Sequence, residues 1–379
     1  MAKELRKGYT TGSCATAAMV AAMGVILHGQ AAKQVQIHTP KGIVLTIPIA
    51  ETREEGRAVV CAVRKDSGDD PDVTKDVLVY AKVRLQEGPE TSVLIEGGLG
   101  VGRVTKPGLA CKVGEAAINP VPKKMMEAAA QLLLQQAGIT AAVEVEISIP
   151  AGVALAKKTF NPKLGIVGGI SVLGTTGIVE PMSEQALVDT IKVEINVKVA
   201  EGERILILTP GNYGEKFLEG MMGISPSNVV KCSNFIGEAL DYAVEKGCEG
   251  VLLVGHIGKL AKVAGGRMNT HSQYGDGRME VLSEAILAVG GSKALSTKIM
   301  DCVTTEDAIA VLDEEGLRVP VMKEVLARIE KQLNQRVRGA LMVGAVMYSN
   351  VYGYLGETDG AKTLKKNRQA TMETESKDE

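Results

Sequence analysis

The sequence predicts an α+β domain followed by an α/β domain with a parallel sheet. The main observation is that the pattern of predicted strands and helices changes near residue 200. Before it, residues 34–49 and 57–64 alternate with β-branched side chains, as strands of hairpins do, and few helical patterns intervene. After it, short apolar strands alternate with amphipathic helices, as in the βαβ units of a parallel sheet.

The length of 379 residues fits two domains. We place the first at 1–200 and the second at 201–360. The remaining segment, 361–379, is charged and poor in apolar residues, so it is expected to be disordered.

The composition argues against several classes of partner. The net charge is −2 and aromatic residues make up 3% of the chain, so no basic field or stacking surface favours nucleic acid. The six cysteines form no CxxC pair, as expected for a reduced protein. The apolar run at 15–27 is too short to cross a membrane. We therefore expect a cytoplasmic protein with no membrane partner.

The individual elements follow from capping and periodicity. In the first half a helix starts at Thr10–Ser13 and runs to about His28, and a punctuated polar loop covers 66–75. Further strands are expected at 77–85, 92–96 and 143–149, with a helix at 123–137. In the second half the predicted strands are 204–208, 229–232, 250–254 and 340–346, and the predicted helices are 234–246, 279–289, 304–315 and 320–337.

Two motifs in the first half suggest ligand binding through the backbone. GYTTGSCA at 8–15 places hydroxyls at a helix start, where free N–H groups suit a carboxylate or phosphate; an over-capped helix is the simpler alternative. GIVGGISVLGTTGIVEP at 165–181 is rich in glycines that permit close approach of a ligand, although a structural hinge explains them equally well. The lysines of TKPGLACKVGEAAINPVPKK at 105–124 are most simply those of a solvated loop.

Two further motifs follow predicted parallel strands. LTPGNYG at 208–214 and LLVGHIGK at 252–259 share the carboxyl edge of the sheet, where open α/β sheets bind ligands. An adenosine-bearing ligand fits the first turn, and His256 is a plausible proton acceptor near neutral pH. A plain strand-to-helix connection and a histidine bonded to backbone are the alternatives.

A polar loop, GGRMNTHSQYGDGRME at 265–280, gathers cationic, acidic and amide groups suited to a substrate with carboxylates. Its alternative role is to cap the following helix. His256, His271 and Asp276 lack the spacing of known metal motifs, so no metal site is expected.

Taken in order, these motifs resemble the cobalt-precorrin-5B C(1)-methyltransferase family, CbiD. The matching stretches include LRKGYTTGSCATAA, GISVLGTTGIVEPMSEQAL, GVLLVGHIGKLAKVAGG and MNTHSQYGDGRMEVL, between residue 5 and about 282. The resemblance implies a first domain like domain 2 of ribosomal protein S5 and a Rossmann-like second domain. It also implies transfer of a methyl group from S-adenosylmethionine to carbon 1 of a cobalt-containing corrinoid, giving cobalt-precorrin-6A for cobalamin biosynthesis, with neighbouring pathway enzymes as possible partners.

If the reaction is methyl transfer to a corrinoid, as the resemblance implies, the motifs supply candidate residues for each part of the site. The candidate proton acceptors are His271, Asp276 and His256. The methyl donor is expected at the sheet edge or on the glycine stretch, at Gly165, Gly168, Gly169, Gly174, Thr175, Thr176, Gly177, Pro210, Gly211, Asn212 and Gly255. The corrinoid carboxylates are expected at Thr10, Thr11, Ser13, Lys259, Arg267, Asn269 and Arg278.

Two other classes stay open. A small-molecule phosphotransferase would also use glycine-rich loops, although no GxxxxGK[ST] occurs. A non-catalytic corrinoid-binding protein would bind the macrocycle without a methyl-donor site. Binding of S-adenosylhomocysteine distinguishes both from a methyltransferase.

Overall fold

A computed structural model describes residues 5–211, 213–222 and 224–378 of the chain. The chain divides into two compact units, Met1–Glu184 and Gln185–Glu379. Each unit contains helices and strands, and parallel strand pairs occur in both. The mixed α/β class expected from the sequence is therefore confirmed.

The first unit contains most of the short strands. Its helices are α1 (Thr11–His28), α2 (Pro120–Ala137) and α3 (Gly152–Leu155). Its strands are β1 (Gly8–Tyr9), β2 (Gln34–His38), β3 (Val44–Pro48), β4 (Glu51–Glu55), β5 (Ala58–Arg64), β6 (Leu78–Glu87), β7 (Ser92–Gly97), β8 (Gly100–Val101), β9 (Arg103–Val104), β10 (Ala141–Ser148), β11 (Ile166–Val167), β12 (Gly169–Ile170) and β13 (Ile178–Val179).

A five-stranded sheet of order β4-β5-β6-β10-β7 forms the centre of this unit. Strand β10 pairs antiparallel with β6 and parallel with β7. Helix α1 packs on the sheet through small and flexible side chains, and Ala18, Met19 and Met23 are fully buried. Within the described residues α1 alone is long and apolar enough to cross a membrane, but 67% of that span is buried inside the unit. Its apolar character is that of a core helix.

The second unit has a sheet of order β15-β14-β16-β17-β18. Its strands are β14 (Ile205–Thr209), β15 (Val229–Lys231), β16 (Gly250–His256), β17 (Met342–Ser349) and β18 (Gly353–Glu357). The first four are parallel, and β18 pairs antiparallel with β17. Its helices are α4 (Glu184–Ala200), α5 (Tyr213–Met222), α6 (Ile236–Glu245), α7 (Ile257–Ala264), α8 (Arg278–Ala288), α9 (Lys293–Met300), α10 (Thr305–Glu314), α11 (Arg318–Val337) and α12 (Asp359–Asp378).

Alternate side chains of these strands face opposite helical layers. Leu206, Leu208, Val251 and Leu253 share a buried core with α4, α6 and the helices from α7 to α11. Ile207, Leu252 and Val254 share a second core with α5 and α12. The sheet is therefore covered by helices on both faces, which explains its nearly continuous apolar strands.

The division between the units differs from the expected boundary at residue 200. Val188, Ile191 and Ile195 on α4 are buried in the core of the second unit. Residues 184–200 contain no glycine, unlike the preceding segment, and their packing assigns them to the second unit.

The tail also differs from the expectation of disorder. Helix α12 includes residues 361–378, and Ala361 and Leu364, one turn apart, are buried against the sheet. Arg368 pairs with Glu203, and Lys365 pairs with Glu357. Two apolar residues at helical spacing are enough to fix the start of a segment that is otherwise charged.

Candidate active site

The parallel sheet of the second unit reverses its strand order between β14 and β16. Strand β14 comes first in the chain, β15 lies on one side of it, and β16 lies on the other. In open α/β sheets, ligands bind beyond the carboxyl ends of the strands at such a reversal. The turn Thr209–Gly211 and the side chain of His256 are at these two strand ends.

The turn after β14 leaves open space beside Gly211. A Cβ atom at Gly211 would have no neighbour within 4 Å in the described part of the chain, and its φ is not in the left-handed region. By contrast, a Cβ at Gly255 would lie 2.9 Å from Leu260 and 3.2 Å from Pro210. Gly255 is thus needed for packing, whereas packing does not require glycine at Gly211. Asn212, also expected at the donor site, lies outside the described residues.

His256 ends β16 and caps helix α7. Its Nδ1 accepts a hydrogen bond from the N–H of Gly258 at 3.0 Å, which assigns the ring proton of the neutral form to Nε2. Nε2 is buried and lies 3.0 Å from Glu306 Oε1, off the direction of a well-aligned hydrogen bond. The ring also contacts the edge of Tyr348, with centroids 5.6 Å apart. Burial lowers the pKa of His256 and outweighs the opposing effect of Glu306, so the ring is neutral at pH 7.

Glu306 brings several groups together at this edge, and the sequence did not predict it. Its Oε1 accepts a hydrogen bond from the Ser349 hydroxyl at 3.2 Å, and its Oε2 accepts one from Thr305 at 2.9 Å. Burial alone would raise the pKa of Glu306, but these hydrogen bonds and His256 reverse the shift, so the pKa lies below its ordinary value. The carboxylate is therefore ionised at neutral pH.

One signal in the sequence was available for this cluster. Ser349 ends β17, so the strand-end rule that identified His256 also applies to it. Glu306 follows Thr304, whose side chain forms a capping box with Asp307. An acidic residue at such a position indicates a helix start, and this obscures any other role.

The loop between α7 and α8 is held largely by its own residues. The Lys262 ammonium donates to the carbonyls of Thr270 and Gly275 at 3.3 and 3.2 Å. The Arg267 guanidinium lies against Gly275 and Gly277 and donates to the carbonyl of Tyr274 at 3.4 Å. These contacts favour a structural role for Arg267 over the expected substrate contact.

Asn269 and His271 are also used locally. The Asn269 side chain accepts from the N–H of His271 at 3.0 Å, and His271 Nδ1 accepts from the N–H of Gln273 at 3.2 Å. His271 is exposed, and the hydrogen bonds above keep it within its own loop.

Asp276 and Arg278 form a two-point ion pair. The Nε–Oδ1 and Nη2–Oδ2 distances are 2.5 and 2.7 Å. Arg278 lowers the pKa of Asp276 to about 2, so Asp276 is a weak base. The positive charge of Arg278 lowers the pKa of His256. The negative charge of Glu306 in turn raises the pKa of Arg278. Of the expected site residues, the structure thus brings His256, Asp276 and Arg278 into one neighbourhood.

Lys259 points toward the end of β15. Its ammonium donates to Asn234 Oδ1 at 2.9 Å and to the Ser233 carbonyl at 3.4 Å. Burial lowers the pKa of Lys259. The side chain holds the turn that follows β15, so we do not include it among the substrate contacts.

In the first unit, the two polar motifs bind each other. Thr11 Oγ1 donates to the Leu173 carbonyl at 3.1 Å and accepts from the Leu173 N–H at 2.9 Å. Ser13 Oγ donates to the Gly177 carbonyl at 2.7 Å, and Thr10 Oγ1 accepts from the Ser13 N–H at 3.2 Å. All three hydroxyl residues are buried. Their hydrogen bonds favour the over-capped helix over the expected anion site.

Most glycines of the stretch at 165–181 are required because a Cβ atom at these positions would clash with neighbouring atoms. A Cβ at Gly169 would lie 2.2 Å from the Gly100 carbonyl oxygen, and one at Gly174 would lie 2.2 Å from Thr10 Oγ1. Added Cβ atoms would meet Lys106 at Gly165 and Thr39 at Gly177. Only Gly168 in this set has open space, while Thr175 and Thr176 are exposed. The geometry favours the structural interpretation of this stretch.

Among the residues that the structure describes, no group of three His, Cys, Asp or Glu side chains is arranged to hold a metal ion.

The fold and this cluster define a two-unit α/β protein with a polar cluster at the carboxyl edge of an open parallel sheet. The profile of the family described as CbiD matches residues 1–181, and the profile described as CbiD, C-terminal domain, matches residues 269–359. The chain belongs to the CbiD family.

Named relatives agree with this assignment. The cobalt-precorrin-5B C(1)-methyltransferase of Ruminiclostridium cellulolyticum is 46% identical over 349 residues, covering 92% of this chain and 90% of that protein. The protein of the same name from Alkaliphilus metalliredigens is 42% identical, covering 96% of this chain and 94% of that protein. The crystal structure of a cobalamin biosynthesis protein (CbiD) from Archaeoglobus fulgidus is 27% identical, with a TM-score of 0.38, covering 71% of this chain and 84% of that chain.

Proposed function

We propose that this chain is a C-methyltransferase that methylates carbon 1 of cobalt-precorrin-5B in cobalamin biosynthesis. The observation that carries the proposal is the 46% identity, over nine tenths of both chains, to a protein named for this activity. The product is cobalt-precorrin-6A, and the methyl donor is S-adenosylmethionine. We further propose that the first unit is like domain 2 of ribosomal protein S5, that the second is Rossmann-like, and that the protein works in the cytoplasm, where neighbouring enzymes of the pathway supply and consume the corrinoid.

When bound, S-adenosylmethionine supplies a methyl group on a sulfonium, which is already a good leaving group. The protein therefore needs to bring donor and acceptor into line rather than to form a covalent intermediate, and such positioning is worth roughly 7–11 kcal/mol. We place the donor at the strand-order reversal, where Gly211 leaves open space beside its backbone and His256 ends the adjacent strand. The glycine stretch is the weaker alternative, because its glycines pack mainly against the protein itself.

The transfer also has a proton to dispose of. Carbon 1 supplies the electron pair of the new C–C bond, and the pair of the broken C–S bond stays on sulfur. The positive charge thus gained by the macrocycle is removed when it releases one proton. A group at the site that accepts this proton would contribute about 10²–10⁴-fold to the rate.

The direct test is mass spectrometry of the reaction. Purified protein supplied with S-adenosylmethionine and cobalt-precorrin-5B is expected to give a product heavier by one methyl group. The same mixture without the methyl donor is the control. Folded protein that leaves verified substrate unchanged would overturn the proposed function.

Arg278 is expected to serve the corrinoid rather than the chemical step. Its guanidinium is partly exposed and is held in orientation by Asp276, so a substrate carboxylate can bind to the remaining N–H groups. Arg278→Ala should raise the KM for the corrinoid about tenfold, equivalent to about 1.4 kcal/mol, while kcat stays within about threefold. Steady-state kinetics measure both quantities.

The matched control is Arg328→Ala on α11, because Arg328 is as exposed as Arg278 and is also held by ion pairs, with Glu284 and Glu324. It should leave KM unchanged. His271→Ala and Asp276→Asn test the other loop candidates, and a fall in kcat in either variant would support that residue as the base. Wild-type kinetics in all the loop variants, with only thermal stability reduced, would make the loop purely structural.

A further inference from the structure

The three proton acceptors expected from the sequence are poorly placed to act as bases. His256 uses the lone pair of Nδ1 to cap α7, and its Nε2 carries the proton and faces Glu306. To accept a proton it would have to give up the cap. Asp276 is held by Arg278, and His271 uses its Nδ1 within its own turn. A base at this edge must therefore be another group.

Glu306 has the properties that these residues lack. It stands in the first turn of α10, where the helix dipole favours a negative charge, and its side chain is 28% exposed. Hydroxyls of Thr305 and Ser349 fix its two oxygens, which are acceptors when ionised. Its contacts with His256 and Ser349 place it beside the carboxyl ends of β16 and β17, next to the strand-order reversal.

We propose that Glu306 accepts the proton that the macrocycle releases on methylation, and that His256, whose Nε2 lies 3.0 Å from Glu306 Oε1, is a positioning residue that packs beside this carboxylate. The proposal rests on the proposed function. In the step, the proton passes from the methylated macrocycle to a carboxylate oxygen of Glu306, and solvent later removes it. Glu306 is ionised at neutral pH, and its carboxylate oxygens, held by Thr305 and Ser349, can therefore accept a proton.

The Glu306→Gln variant distinguishes a base from a residue that only accepts hydrogen bonds. In Glu306→Gln the amide oxygen still accepts from Ser349 or faces His256, so a merely structural role predicts little change. Loss of the base predicts a fall in kcat of about 10²–10⁴-fold, with S-adenosylhomocysteine affinity unchanged. Added formate, a small carboxylate, should restore part of the activity of Glu306→Ala.

Two variants serve as controls. Asp307→Asn changes the adjacent carboxylate on the same helical turn and keeps an oxygen for the Thr304 N–H, so kcat should stay at the wild-type value. His256→Asn keeps a residue type that caps helices well, so kcat should fall by no more than about tenfold.

The outcomes separate the possible assignments. A Glu306→Gln enzyme within tenfold of the wild-type kcat would overturn the proposal. So would a His256→Asn enzyme that loses as much activity as Glu306→Gln at the wild-type melting temperature, because His256 would then be the base. Loss of S-adenosylhomocysteine binding in Glu306→Gln would move Glu306 to the donor site. Failure of the wild-type protein to form any methylated product would instead count against the proposed function.

Discussion

Replacing Gly211 with valine is expected to weaken binding of S-adenosylhomocysteine by at least about tenfold, or about 1.4 kcal/mol, without lowering the melting temperature of the protein. The added side chain would meet no atom of the described residues within 4 Å, and the backbone at Gly211 has no left-handed φ. The folded chain therefore accepts valine, whereas a ligand that approaches this backbone does not. Isothermal titration calorimetry gives the affinity, and calorimetric unfolding gives the melting temperature.

The matched control is Gly220→Val on α5. A Cβ at Gly220 likewise has no neighbour within 4 Å among the residues that the structure describes, but this glycine lies in the last turns of the helix rather than at the strand end. It should leave the affinity unchanged. Equal affinity in Gly211→Val and the wild-type protein, at equal melting temperature, would place the methyl donor elsewhere and return the glycine stretch to consideration.

The part of the site that could be predicted follows from strand periodicity. Strands β14 and β16 are short apolar runs, and the residues directly after them necessarily lie at one edge of a parallel sheet. Gly211 and His256 were found in this way, without knowledge of any contact. Glu306 could not be found by the same rule, because it begins a helix within the long connection between β16 and β17. Only tertiary packing brings it to His256.

The first unit shows a different limit. Hydroxyls at a helix start and glycines in a loop have the same sequence pattern whether they bind a ligand or each other. Ser13 and Gly177 are far apart in the chain, and their hydrogen bond is visible only in the folded unit. The sequence pattern identified residues with special backbone requirements. It did not show whether these residues bind a ligand or contact each other.

A buried ion pair in the polar loop at 66–75 should be a major source of stability for the first unit. The side chain of Lys65 is 3% exposed, and its ammonium lies 2.5 Å from Asp72 Oδ2 and from Ser67 Oγ. Asp72→Ala would leave this ammonium buried without its counter-ion. Removing one partner of a buried pair costs about 3–5 kcal/mol, and we expect the lower end because the Asp72 side chain is 24% exposed. Urea unfolding of the full chain, followed by circular dichroism, measures the change in unfolding free energy.

The stabilisation of the folded protein by Asp72 depends on pH, and the pKa of Asp72 determines the direction. Burial alone would raise the pKa of Asp72, but Lys65 and Thr74 outweigh it, so the pKa in the folded protein lies below its ordinary value. The stabilisation by Asp72 is therefore complete above the unfolded pKa of about 3.9 and is lost as the pH falls through the folded pKa. The wild-type protein and Asp72→Ala should differ fully at pH 7 and converge in acid.

Two further variants make this prediction specific to the buried charge. Asp69→Ala removes an exposed carboxylate of the same loop that accepts from the Arg6 N–H, and it should cost about 1 kcal/mol or less. Adding Lys65→Met to Asp72→Ala replaces the unpaired ammonium by an apolar side chain of similar length, so the double variant should be more stable than Asp72→Ala alone. If Asp69→Ala and Asp72→Ala are equally destabilising, or if Lys65→Met gives no recovery, the loss does not come from an uncompensated charge at Lys65.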